Sequence, residues 1–118
     1  MRRMVVFQHY SYFGEVEDYV YYVLNSFKVV AEKIVFISNS KLCDKDLEKI
    51  NEIVDECYQR ENRGYDAGAF KDYFLNVSYN ELKDWDEILL TNSTYFGPLF
   101  SWNEVFDKMS RLKVNFWG

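Results

Sequence analysis

The chain has 118 residues, of which 48% are hydrophobic and 19% aromatic, enough for the core of one domain, and this composition excludes a disordered chain. The formal net charge of −5 at pH 7 excludes the broad basic surface on which nucleic-acid binding normally depends. No segment approaches the ~20 apolar residues of a membrane-spanning helix, and the apolar run at the N-terminus is too short for a signal peptide. The two cysteines fit no metal or redox spacing. These features predict a single cytoplasmic domain over residues 1–118.

Apolar runs alternate along the chain with stretches of helical periodicity. The runs predict five strands, of which the third is the weakest: Met4–Phe7, Lys33–Ser38, Glu56–Arg60, Asp86–Thr91 and Val114–Trp117. Apolar residues at three-and-four spacing predict four helices with inward faces at Val16–Ala31, Leu47–Val54, Ala67–Val77 and Trp102–Met109. Asp44 is a predicted N-cap of the second helix, and Ser101 and Glu104 have the spacing of a capping box for the fourth.

This alternation predicts an α/β fold: a three-layer α/β/α sandwich around an open, mostly parallel sheet of about five strands, in a Rossmann-like arrangement. Ligands of such sheets lie beyond the carboxyl ends of the strands, near the point where the strand order reverses. The polar segments of this sequence fall at those ends: Gln8–Tyr10, Ser38–Ser40, Arg60–Asp66 and Asn92–Thr94. Because the chain ends directly after an apolar strand, we expect a fragment or an unusually short protein.

The segment RENRGYDAGAFKD, Arg60–Asp72, joins the third strand to the third helix and is the most informative stretch of the chain. Gly64 can adopt a positive φ angle without steric cost, so the chain can turn sharply after the strand. Gly68 falls in the first turn of the helix, where it allows another backbone or a ligand to approach closely. The N–H groups at the start of a helix favour an anion.

Charged side chains surround this turn. Arg60 and Arg63 can offer forked donors to a phosphate, and Lys71 a point charge. Asp66 can cap the helix or accept hydrogen bonds from sugar hydroxyls. A structural interpretation explains the same residues equally well: Asp66 is only a cap, Gly64 only a turn residue, and the cations are a solvated surface.

Two further strand ends carry candidate groups. Asn92-Ser93-Thr94 follows an apolar strand where an Asp-x-Asp would hold a divalent cation, but Asn92 and Thr94 are neutral, and a polar turn is the competing interpretation. His9 can stack on a base or donate to a phosphate. A lone histidine beside a core is more often a hydrogen-bonded structural group.

These residues together resemble the rhamnan synthesis protein F family of bacterial polysaccharide biosynthesis. The resemblance is carried by VVFQHY, KIVFISNS, RENRGYDAGAFKD, WDEILLTNSTYFGPLF and VNFWG, in this order. It extends over essentially the whole chain, and RENRGYD and the block around NST and YFGPL are its most specific parts. The order of elements also resembles the nucleotide-sugar-binding half of the family 2 glycosyltransferases, which have the GT-A fold.

The resemblance implies a site for a nucleotide-diphospho-sugar donor. Asn62, Gly64 and the following helix match the block that approaches the diphosphate, and Ser38 and Asn39 occupy the strand end that faces the base. By this comparison and the residue chemistry above, the nucleotide-sugar-binding residues are His9, Ser38, Asn39, Asn62, Arg63, Gly64, Asp66, Lys71, Asn92 and Ser93.

The metal site of the resembling enzymes is incomplete here. Asn92 and Thr94 occupy the Asp-x-Asp positions, and the family commonly reads Asn-Asp-Ser where this chain reads Asn92-Ser93-Thr94. The expectation of Mg or Mn with the diphosphate is therefore weak.

Two functions are consistent with this resemblance. The first is donor binding, of a dTDP-rhamnose-like nucleotide sugar, in a glycosyltransferase that makes rhamnose-containing cell-surface polysaccharide such as lipopolysaccharide. Its acceptor would be a glycan or a lipid-linked glycan, the acceptor half would lie after Gly118, and the enzyme would be cytoplasmic or at the inner face of the membrane. The second is a non-catalytic interaction module of the polysaccharide assembly machinery that keeps the fold.

Overall fold

The computed structural model describes residues 2–61, 64–93 and 106 of the chain, with the side chains of residues 65 and 66 excepted. The strands are β1 (Arg3–His9), β2 (Lys33–Ser38), β3 (Glu56–Gln59) and β4 (Glu87–Asn92). The helices are α1 (Asp18–Phe27), α2 (Asp44–Ile53), α3 (Tyr65–Asn76) and α4 (Tyr79–Leu82). The predicted alternation is thus confirmed from the first strand to the fourth. The predicted fifth strand, Val114–Trp117, lies outside the described residues, as does the fourth predicted helix except for Phe106, which is helical and buried.

All four strands are parallel, and their order in the sheet is β3-β2-β1-β4. The chain first moves outward from β1 to β3 and then returns to place β4 on the other side of β1. The strand order therefore reverses between β1 and β4. In register, His9 pairs with Ser38, and Gln8 pairs with Asn92, so the carboxyl ends of these strands lie side by side.

Helices cover both faces of this sheet. Val5 and Phe7 of β1 point to the face covered by α1 and α2, whereas Met4 and Val6 point to the face covered by α3. This alternation follows from the two-residue repeat of a strand, and it explains why β1 and β2 are apolar at successive positions. The described part of the chain therefore has the three-layer α/β arrangement that the sequence predicts.

Two predicted helix caps are wrong. Helix α2 already begins at Asp44 and its N-cap is Cys43, so Asp44 lies in the first turn. Helix α3 begins at Tyr65 because Gly64, in the left-handed conformation, serves as its N-cap, and Asp66 is therefore the second residue of the helix. In both cases the backbone enters the helix earlier than the side-chain chemistry suggested. The additional short helix α4 follows Ser78, whose Oγ accepts the N–H of Glu81 at 3.2 Å.

Candidate functional site

Gly64, which directly precedes α3, has the positive φ angle predicted for it. Gly64 has a φ of 68°, and its carbonyl accepts the N–H of Gly68 at 2.8 Å. A Cβ atom added to Gly64 would lie 3.1 Å from the Cα of Gly68, closer than side-chain carbons normally approach. The backbones of Gly64 and Gly68 therefore lie close together, whereas the approach of a ligand to Gly68 stays a prediction. The first N–H groups of α3 follow directly after this turn, beside the carboxyl end of β3.

A chain of hydrogen bonds joins the ends of β1 and β2. His9 Nδ1 lies 2.9 Å from Ser38 Oγ, which in turn lies 2.9 Å from Ser40 Oγ. Ser40 Oγ accepts the N–H of Ser11 at 3.3 Å, so the chain extends into the loop after β1. The sequence predicted His9 and Ser38 as site residues, and the structure brings them into direct contact. Ser40 and Ser11 were not selected, although Ser40 lies in the quoted segment KIVFISNS.

The surroundings of His9 are mostly nonpolar. Its side chain is 2% exposed, and its ring stacks on Phe36 with the centroids 5.5 Å apart. Burial lowers the pKa of His9, although a hydrogen bond to the backbone of Glu15 and the charge of Asp46 act in the opposite direction. These contacts are those of a structural histidine, which the sequence left as the competing interpretation. A direct contact of His9 with a nucleotide stays a prediction.

Arg60 connects the end of β2 to α3. Its Nη1 donates to Asn39 Oδ1 at 3.0 Å, while Nε and Nη2 donate to the same oxygen of Asp72 at 2.9 and 2.7 Å. Asn39 is 3% exposed, and its N–H donates to the carbonyl of His9 at 2.8 Å. Asn39 and Arg60 therefore meet at the mouth of the sheet, as their places at strand ends predict. Lys71, on α3, is exposed.

The end of β4 is tied to β1 and α1. Ser93 is 7% exposed, its N–H donates to the carbonyl of Gln8 at 3.0 Å, and its Oγ accepts the N–H of Tyr10 at 3.5 Å. The Tyr19 hydroxyl donates to the carbonyl of Ser93. Helical spacing had assigned Tyr19 to the apolar face of the first helix, which explains why the sequence did not point to its hydroxyl. Asn92, the last residue of β4, is half-buried.

A carboxylate in α2 anchors the loop that follows β1. Asp46 accepts the Tyr21 hydroxyl at 2.6 Å, and the N–H of Val16 and the thiol of Cys43 at 3.3 Å. Burial acts to raise the pKa of Asp46, but these donors outweigh it and hold the pKa below its usual range. The sequence offered no motif for this contact, since Asp46 and its partners lie on three different segments.

Four of the predicted site residues lie wholly or partly outside the described residues. Asn62, Arg63 and Thr94 lie outside the described residues, and only the backbone of Asp66 is described. In the described ranges, no group of three His, Cys, Asp or Glu side chains is arranged to hold a metal ion. The described donors at the end of β4, Asn92 and Ser93, include no carboxylate, so they do not fit Mg or Mn, which prefer charged oxygen ligands.

A comparison with family models identifies a family for this chain. The model of rhamnan synthesis protein F matches residues 34–118, which is more than half of the chain. The chain belongs to the rhamnan synthesis protein F family. The match begins at the second residue of β2, so β1 and α1 lie outside it.

Membership of the rhamnan synthesis protein F family places the chain in rhamnan synthesis, a branch of polysaccharide biosynthesis. No curated protein and no solved structure matches the chain significantly. Within the part of the chain that the structure describes, none of the helices has both the length and the apolar character needed to cross a bilayer.

Proposed function

We propose that this member of the rhamnan synthesis protein F family binds a nucleotide-diphospho-sugar as the donor domain of a glycosyltransferase with a GT-A-type fold. The observation that carries the proposal is the strand order. Ligands of open parallel sheets bind where the order reverses, and here it reverses between β1 and β4. The buried polar residues His9 and Ser93 lie at the ends of β1 and β4, and buried Asn39 lies at the adjacent end of β2.

The diphosphate would lie at the turn that leads into α3. The left-handed Gly64 brings the first turn of α3 to the carboxyl end of β3, and helix amides together with the helix dipole favour an anion. In this arrangement Asn62 and Arg63 would contact the phosphates, Lys71 would add a positive charge, and Asp66 would accept sugar hydroxyls. The amides would also stabilise the charge that develops on the leaving diphosphate.

The base would lie toward the ends of β2 and β1, beside Ser38 and Asn39, and Asn92 and Ser93 at the end of β4 would border the nucleoside. The sugar would lie on the other side of the diphosphate, near Asp66. Two strand spacings, about 10 Å, separate β3 from β1. A nucleotide-diphospho-sugar laid across the strand ends can span this distance. The proposed donor is dTDP-rhamnose-like because rhamnan is a polymer of rhamnose. No step of this proposal requires a metal ion.

A second function, the non-catalytic interaction module, is favoured by a specific observation. The polar side chains at the mouth are hydrogen-bonded to one another, and Ser38 is 0% exposed. A ligand that contacts Ser38 or Asn39 directly would have to replace some of these bonds or approach their backbone. A domain that had lost donor binding would keep the same network as a purely structural feature.

Calorimetric titration distinguishes the two functions. We expect dTDP, UDP or their sugars to bind the folded chain at millimolar concentration or better, and Arg63→Ala to weaken binding by about 1–3 kcal/mol, the contribution of a charged hydrogen bond. Lys28→Ala is the control, since Lys28 is exposed at the C-terminal end of α1, away from the mouth. Absence of binding by a chain that circular dichroism shows to be folded would contradict donor binding and favour the module.

A further inference from the structure

A groove outside the proposed donor site runs between the edge strand β3 and helix α3. It has a volume of about 380 Å³, within the range of ~300–1,000 Å³ typical of small-molecule sites. Its lining includes Ile37, Tyr58, Ala69, Asp72, Tyr73 and Glu81. The groove begins at Arg60, near the mouth of the sheet, and extends along β3 toward Glu56.

The groove follows from the short third strand and from a small residue on the helix. Tyr58 pairs with Ile37, and Glu56 pairs with Val35, so both β3 side chains point to the face that α3 covers. Ala69, which is 0% exposed, packs against the sheet without filling the space beside it. The result is a floor of aliphatic carbon with an open side at the sheet edge.

Two tyrosines form the aromatic part of the lining. Tyr58 is 45% exposed, whereas Tyr73 is 7% exposed, and their ring centroids lie 6.1 Å apart with the planes tilted by 52°. Burial and, to a smaller extent, repulsion from the Glu56 carboxylate raise the pKa of Tyr73 to about 12, so the phenol is neutral at physiological pH. Because Tyr58 is half-exposed, its ring is accessible to a ligand in the groove.

Ion pairs border the groove at both ends. At the mouth end, Arg60 pairs with Asp72, whose side chain is 55% exposed. At the other end, Lys33 pairs with Glu56 and, at 3.4 Å, with Glu81, whose side chain is 52% exposed. A carboxylate has about four acceptor positions, so Asp72 and Glu81 keep acceptors for hydroxyl donors while they remain paired.

The charges of this lining indicate which ligand fits. Three carboxylates and one guanidinium line the groove in the described part of the chain, and Lys33 pairs with two of the carboxylates. The remaining excess of one negative charge disfavours phosphates. A neutral polyhydroxyl ligand satisfies the same carboxylates through its hydroxyls and places its C–H surface on the Tyr58 ring. Ion pairs and an exposed tyrosine are also common at ordinary surfaces, but here they surround one concave volume.

We propose that this groove is a glycan-binding site that holds rhamnose units of a rhamnan chain. Rhamnose is a neutral 6-deoxy sugar, and its methyl group matches the aliphatic part of the lining, where half-buried Val77 offers accessible carbon. Membership of the rhamnan synthesis protein F family indicates that the polymer is rhamnan. The site is separate from the donor site and does not depend on the donor proposal.

The test uses the 118-residue chain with L-rhamnose and an α-linked rhamnose trisaccharide as probes, followed by calorimetry and by ¹H–¹⁵N correlation spectra. We expect the trisaccharide to shift backbone signals of β3 and of the Ala69–Asn76 part of α3. Tyr58→Ala should weaken binding about fivefold to tenfold, the scale of an aromatic contact, while Tyr58→Phe, which keeps the ring, should bind nearly as the wild type. Tyr22→Ala, an exposed tyrosine on α1, is the matched control and should bind normally.

Two results would overturn the proposal: an absence of trisaccharide binding by the folded chain, or equal affinities of the Tyr58→Ala and Tyr22→Ala variants. Signal shifts confined to residues outside the groove would overturn it as well. A titration with dTDP separates this proposal from the donor proposal. If dTDP binds and the trisaccharide does not, only the proposed glycan site in the groove is contradicted. If the trisaccharide binds but neither dTDP nor its sugars do, only the proposed donor site is contradicted.

Discussion

The Nδ1 atom of His9 and the hydroxyl of Ser38 lie 2.9 Å apart in the buried layer where β1 and β2 end. Since the two residues are also partners in the strand register, this hydrogen bond continues the backbone pairing at the level of side chains. It holds together two of the strand ends on which the proposed donor site depends.

The pKa of His9 predicts a pH dependence of stability. Burial lowers this pKa in the folded state, so between the unfolded value of about 6.5 and the folded value the unfolded chain binds more protons. The contribution of His9 to stability is therefore fully present above pH ~6.5 and falls as the pH decreases toward the folded pKa, by at most about 1.4 kcal/mol per pH unit. NMR titration of His9, the only histidine of the chain, should give a pKa below 6.5.

Urea unfolding at pH 7.5 and 5.5 measures the consequence for stability. The wild type should lose up to about 1.4 kcal/mol more between these two pH values than His9→Gln, whose side chain does not titrate. An NMR pKa at or above 6.5 would contradict the prediction even if the variant did not fold.

Replacement of Gly64 tests the turn before α3. We expect Gly64→Ala to lower the free energy of unfolding by about 1–2 kcal/mol, because φ is 68° and the added Cβ would meet the Cα of Gly68 at 3.1 Å. Gly64→Asn should cost less, since asparagine tolerates the left-handed region better. Urea denaturation of both variants checks the order. Equal stability of Gly64→Ala and the wild type would show that the turn differs from the one described.

Truncation of Arg60 tests the link between β2 and α3. Arg60→Met should cost about 1–3 kcal/mol because it removes charged hydrogen bonds, including the one to Asn39, which is 3% exposed. Asp72→Asn should cost less than 1 kcal/mol, since the Asp72 side chain is 55% exposed and water replaces part of the interaction. Chemical denaturation of both variants gives the comparison. A larger loss for Asp72→Asn than for Arg60→Met would reverse this assignment.

A pair of substitutions on α1 tests the core. Phe27 is 0% exposed between the sheet and α1, so Phe27→Ala should cost about 3–5 kcal/mol through lost burial and the cavity that remains. Tyr22→Ala on the same helix is the control, because Tyr22 is 64% exposed and its removal should change stability by less than about 0.5 kcal/mol. Thermal or urea unfolding measures both. Similar losses for the two variants would mean that the helix faces are misassigned.

The sequence predicted the described elements well because their signals are local. The uninterrupted apolar runs of β1 and β2 indicated strands buried on both faces, and the structure confirms this. Gly64 indicated the positive φ angle because glycine adopts it without cost. The short helix α4 was missed, since its four residues are too few to show a helical period.

Most of the candidate site is nonlocal and could not be predicted at the level of contacts. The bonds from Arg60 to Asn39 and Asp72 join residues 21 and 12 positions away, and the Tyr19 hydroxyl reaches Ser93 across 74 positions. Sequence position placed several of these residues at strand ends, but only the packing of the strands determines which side chains meet.

Local patterns in the sequence specify the alternation of strands and helices, the apolar faces and the glycine turn, because each depends on the periodicity or conformational freedom of neighbouring residues. The packing of distant segments, in contrast, places β1 between β2 and β4, buries His9 against Phe36 and leaves a groove between β3 and α3. The physical reason is that strand order, burial and cavity shape arise from contacts between distant segments, to which no local pattern corresponds.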